Sequence, residues 1–182
     1  MLSLLLSAEL SGVKDLRPTD TEEEPYYYTF RVQCTSCRET HPNWVSFNRF
    51  EQHEIPGSRG EANFVWKCRL CQVTSSPPPL LFVYLAYWTM NLTTQTTQKT
   101  HSASIVAGPN TYTAADADSK RRAQVISLDC RGLEFGEWEA KGAESSTGFG
   151  GIDLTEGEWY DYDEKAGDEV SIKELNWEIG RA

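Results

Sequence analysis

The residues best equipped for chemistry are cysteines in two tight pairs, Cys34-Thr35-Ser36-Cys37 and, thirty residues later, Cys68-Arg69-Leu70-Cys71. A two-residue spacer lets one turn present two thiolates along the edge of a tetrahedron, and two such turns complete a four-sulfur shell with no open position. That closed shell points to a structural site rather than a catalytic one. The expected occupant is one Zn2+ per chain on Cys34, Cys37, Cys68 and Cys71, because soft tetrahedral thiolate sites in cytosolic folding units favour it. Iron in the same sulfurs and a redox dithiol are the weaker readings. Four thiolates on a divalent ion leave two surplus negative charges, which Arg38, Lys67 and Arg69 stand near enough in sequence to offset.

The other reactive residue types carry plainer expectations. Cys130, next to Arg131, is a candidate nucleophile, but no histidine lies near it in sequence to lower its pKa, so it is expected to be a small buried residue ending a strand. His41 and His53 lie between the pairs, and with four cysteines already available they are expected at the surface. Trp159-Tyr160-Asp161-Tyr162-Asp163-Glu164 bunches carboxylates without the glycine-centred spacing of a calcium loop, and is expected to be an acidic loop anchored by its aromatics.

Strands must position the cysteines. Leu2, Leu4, Leu6, Ala8 and Leu10 alternate with Ser3, Leu5, Ser7 and Glu9, and the aromatic and β-branched run from Tyr26 to Gln33 leads into Cys34. Trp44 to Phe50 and Ala62 to Lys67 read as further strands, the second leading into Cys68. No adequate window repeats its apolar residues every three to four positions, so helices should be few. Ser102 to Ala107, a turn at Gly108-Pro109-Asn110 and Gln124 to Cys130 repeat the order of the first strand, its turn and the Cys34-terminated strand, as a metal-less copy. Phe135 to Ala140 and Val170 to Ile179 are later strands, and the change of apolar parity between Ile172 and Leu175 predicts a bulge. The expected fold is mainly β and β-sandwich-like, with two pseudo-repeated halves, the first carrying the zinc site. Residues 1–72 form the first half, 73–100 an atypical insertion and 101–182 an acidic half without metal.

Composition narrows the function classes. The net charge is −10, and Glu134 to Glu178 carries fourteen acidic residues against three lysines, which disfavours a nucleic-acid partner because phosphate binding needs a clustered basic surface. The start of the chain has no basic flank and an early Glu9, so it fails as a signal peptide, and a reducing compartment is expected, the cytoplasm or also the nucleus. Val73 to Gln98 is twenty-six residues without a charge in a chain that is 24% charged, a run expected about once in 1,000 at that background. Its apolar core, Leu80 to Met90, is shorter than the roughly 20 residues of a membrane span, so no membrane partner is expected. An insertion or a retained intron accounts for it.

In order along the chain, Leu16-Arg17-Pro18, Cys34-Thr35-Ser36-Cys37, Gly57-Ser58-Arg59-Gly60, Cys68-Arg69-Leu70-Cys71, Asp129-Cys130-Arg131-Gly132-Leu133-Glu134 and Trp159 to Glu164 resemble the eukaryotic CXXC motif-containing zinc-binding protein family. The resemblance spans nearly the whole chain except about 73 to 100. It implies a mainly β protein of two similar halves with zinc on the four cysteines named above, and it brings no enzymatic activity with it. The leading expectation is a non-enzymatic, monomeric module that binds a protein partner yet to be identified. Two alternatives stand beside it: a thiol-dependent reductase using Cys130, and a thiolate-based zinc or copper handling protein.

Overall fold

A computed structural model describes residues 1–73, 97–140, 143, 145 and 149–181. The charge-free stretch between 74 and 96 lies outside the described residues. Strand β1 (Leu2–Ser11) is followed by β2 (Asp15–Leu16), β3 (Tyr28–Cys34), β4 (Val45–Phe47), β5 (His53–Glu54), β6 (Glu61–Ala62) and β7 (Phe64–Val73). Then come β8 (Thr97–Ala107), β9 (Tyr112–Thr113), α1 (Ala114–Asp118), β10 (Ala123–Arg131), β11 (Leu133–Glu139), β12 (Trp159–Asp163) and β13 (Asp168–Arg181).

These strands form a six-stranded antiparallel sheet in the order β12-β13-β1-β10-β8-β7 and a three-stranded sheet in the order β11-β3-β4. The alternation read in β1 has its expected cause, since Leu4 and Leu6 are fully buried against the core. Aromatic rings join the two sheets: Phe30, Phe47 and Phe135 of the small sheet cluster with centroids 4.5 to 5.8 Å apart, and Phe47 stacks on Phe64 of β7 at 5.4 Å. Trp138 of β11 meets Trp177 of β13 at 5.5 Å on the other flank. The fold is mainly β and sandwich-like, and strands of the two sequence halves share the large sheet, with β1 between β13 and β10.

The bulge expected between Ile172 and Leu175 is present. Ser7 pairs with Asn176 and Glu9 with Lys173, so Glu174 and Leu175 face the single residue Ala8, and Glu174 has φ 49°. The Tyr112 hydroxyl accepts from the Ala8 amide at 3.1 Å and donates to its carbonyl at 2.9 Å. One correction concerns Trp159 to Glu164, which is not a loop: Trp159–Asp163 is β12, paired residue for residue with β13. The alternating aromatics favour a pleated strand, and only the turn after Asp163 is irregular.

Candidate metal centre

Cys34 is the last residue of β3, and the chain turns back tightly after it. The Arg38 amide donates to the Cys34 carbonyl at 2.9 Å, the Cys34 amide to the Glu39 carbonyl at 2.9 Å and the His41 amide to the Val32 carbonyl at 2.7 Å. Thr35 fastens this knuckle to the link between β10 and β11, because its amide and its hydroxyl both donate to the Gly132 carbonyl, at 3.1 and 2.9 Å.

The second pair is delivered differently from the expectation of a strand that ends at Cys68. β7 runs through the pair to Val73: Lys67 pairs with Thr100 and Gln72 with Gln98, so Cys68 to Cys71 face Lys99 alone. The pair is therefore a four-residue bulge within the β7–β8 hairpin, and the bulge swings both thiols toward the first knuckle. This register also shows that Val73 and Thr97 to Thr100, inside the stretch expected as an insertion, belong to paired strands.

All four sulfurs lie within 4.8 Å of one another, with Cys34–Cys71 at 3.3 Å and Cys37–Cys68 at 3.5 Å. A tetrahedral ion with metal–sulfur bonds near 2.3 Å needs its sulfurs about 3.8 Å apart, so the set brackets the size required. No other group of metal-binding side chains of this kind occurs among the described residues, and the four cysteines could hold one metal ion. Cys34 and Cys68 are buried, Cys71 is half-buried and Cys37 is exposed.

The thiols are electrostatically unequal. Burial pushes the Cys34 thiol up, but the Cys37 amide, the Cys71 thiol, the Ser36 amide and the Cys37 thiol directed at its sulfur outweigh burial and bring it down to about 7. Cys71 is pushed up to about 12, first by giving its hydrogen bond to Cys34, and Cys68 is raised, first by burial. Cys34 thus forms a thiolate more readily than Cys68 or Cys71, and metal binding at those two must release protons.

One expected neighbour stands elsewhere. Arg38 spends its charge on Glu134, at 3.3 Å, because its backbone turns through φ 62° and carries the side chain to β11. Lys99 approaches instead, donating to Ser36 Oγ at 3.0 Å. His53 is exposed as expected, whereas His41 is half-buried, its ring edge-on to Trp66 at 5.8 Å. Cys130 is a half-buried residue near the end of β10, its thiol pushed up to about 12, first by burial and then by Asp129.

The residue missed by sequence reasoning is His101 of β8. It is 1% exposed, and its Nε2 lies 3.5 Å from Cys34 Sγ. Only its position three residues after the charge-free stretch, opposite Trp66 in the hairpin register, could have signalled it.

The family model for the eukaryotic CXXC motif containing zinc binding protein matches residues 3–77 and 89–180. The internal part left unmatched is therefore 78–88, shorter than the gap read from the motifs. A UPF0587 protein of Schizosaccharomyces pombe is 42% identical over 187 residues, covering 99% of this chain and 98% of the relative. The CXXC motif containing zinc binding protein of Homo sapiens is 28% identical over 180 residues, covering 96% and 94%. The crystal structure of C1orf123 superposes with a TM-score of 0.75 at 25% identity, covering 100% of this chain and 99% of that one. With the four-cysteine cluster in place, the match over both parts of the chain shows that it belongs to the eukaryotic CXXC motif containing zinc binding protein family.

Proposed function

We propose that one Zn2+ on Cys34, Cys37, Cys68 and Cys71 has a structural role, and that the chain acts without catalysis by presenting its surface to a protein partner. The observation that carries this reading is the convergence of four sulfurs within 4.8 Å from two elements far apart in sequence. Bound there, the ion supplies a four-bond cross-link with no open position. The cysteines themselves tie the turn after β3 to the bulge in the β7–β8 hairpin. Beside them a cleft of about 260 Å³ is lined by His41, Pro42, Trp66 and Leu70, among others. Leu70 is 64% exposed, so apolar surface is available next to the centre.

Cys130 supports the non-enzymatic reading, because a thiol pushed up to about 12 is protonated at neutral pH and a poor nucleophile. Metal handling has one observation in its favour: Cys37 is exposed, which gives a competing ligand a point of entry. Zinc exchange from the folded protein separates the two. Retention against a chelator until the protein unfolds is expected for the structural role, and release within minutes from the folded chain would favour handing the metal on. Affinity capture with the wild type and Cys34→Ser then tests the interaction reading, which expects a partner held by the wild type alone.

A further inference from the structure

His101 is the only side chain besides another cysteine seen within hydrogen-bond reach of a cluster sulfur among the described residues, and its second ring nitrogen has no use of its own. Nε2 lies 3.5 Å from Cys34 Sγ, while Nδ1 is buried without a hydrogen-bond partner. The ring is closely packed: Trp66 lies against it with centroids 5.4 Å apart, and Gly132 lies beside Nδ1. A Cβ at residue 132 would run into Nδ1 and come within 3.1 and 3.3 Å of Cε1 and Cγ.

A neutral imidazole carries its proton on one nitrogen. Placing it on Nδ1 would bury an unpaired N–H, the costlier orphan, and turn the Nε2 lone pair toward a sulfur lone pair. Placing it on Nε2 gives a charge-assisted N–H···S bond and leaves only an unused acceptor. We infer that His101 is a positioning residue of the metal centre, held in the Nε2–H tautomer by Trp66 and Gly132 so that it donates a hydrogen bond to the Cys34 thiolate. It thereby withdraws electron density from Cys34 and slows loss of the metal through this sulfur. This inference rests on the metal-centre reading above.

The test uses the full-length protein loaded with Co2+ in place of Zn2+, comparing wild type, His101→Leu and His101→Gln. Removing a hydrogen bond from a thiolate raises the energy of its lone pair, so His101→Leu is expected to move the sulfur-to-cobalt charge-transfer band to longer wavelength. Zinc release to a chelator should also quicken by about 10-fold. His101→Gln, which restores an amide donor, is expected to return the band and the release rate toward wild type. Nitrogen-15 NMR of wild-type zinc protein reads the tautomer directly, even where His101→Leu does not fold. An Nδ1–H tautomer, or a folded His101→Leu protein with wild-type band and release rate, overturns the inference alone. Failure of wild type to bind either metal overturns the metal-centre reading beneath it.

Discussion

Gly132→Ala tests how the β10–β11 link serves the metal centre. Gly132 has φ 78°, in the left-handed region, and its carbonyl holds Thr35 of the first knuckle. An alanine there incurs about 1–2 kcal/mol for its backbone conformation. Its Cβ also occupies space taken by His101 Nδ1, and pushing the imidazole from Cys34 forfeits a hydrogen bond to a charged group, about 1.5–3 kcal/mol. Alanine's lower entropy in the unfolded chain returns about 0.5 kcal/mol. The net loss is about 2–4.5 kcal/mol, a fall in Tm of roughly 4–18 °C for a chain of this size. Urea unfolding of zinc-loaded protein measures it through the midpoint at unchanged slope. Gly136→Ala is the control, since nothing lies within 4 Å of a Cβ there and its φ is not positive. In a His101→Ala background the steric part should vanish, leaving the backbone cost, so the cycle isolates the coupling. A Gly132→Ala protein within about 0.5 kcal/mol of wild type would refute the close packing claimed for these two residues.

Purified protein is expected to hold one zinc per chain, and chelation or Cys34→Ser should lower its melting temperature sharply, because folding assembles the ligands and metal affinity of about 10 kcal/mol is folding free energy; an unchanged melting curve after complete chelation would contradict this. Cys130 should alkylate very slowly at neutral pH and faster as pH rises toward about 12. Its raised pKa also fixes a sign: the folded state keeps the proton longer, so this stabilisation is complete below the ordinary value of 9.0 and is lost as pH climbs from there toward about 12. Stoichiometric labelling within seconds at pH 7 would instead favour the reductase reading. Deleting 78–88, which the family model leaves unmatched, should spare zinc content and stability because Gln72–Gln98 and Val73–Thr97 pairing is untouched. Joining Gln72 directly to Lys99 should fail, since it leaves no residue for a hairpin turn that needs about two.

Much of the centre was legible because local spacing carries it. Two residues between cysteines mark each pair as able to present both thiols to one ion, and Leu2 to Leu10 could be read as a strand from period-two burial alone. The bulge at Glu174 was legible for the same reason, as a slip of that period between Ile172 and Leu175. The Trp159–Asp163 strand was hidden because its carboxylates suggested a loop, whereas its pairing with Val170 and Ile172 across the hairpin decides its form.

Residue type and spacing thus determined on their own which four cysteines could share a metal ion, the mainly β class and the scarcity of helix, all of which depend on interactions a few residues long. Tertiary structure alone decided that the second pair is a bulge inside a continuing strand, since a bulge is defined by a partner strand's register and Lys99 is the single residue opposite it. It also decided that Arg38 serves Glu134 while Lys99 and His101 serve the first knuckle. His101 stands sixty-seven residues from Cys34 in sequence, and only the folding of β8 beside β7 and beneath Gly132 brings its imidazole to that sulfur.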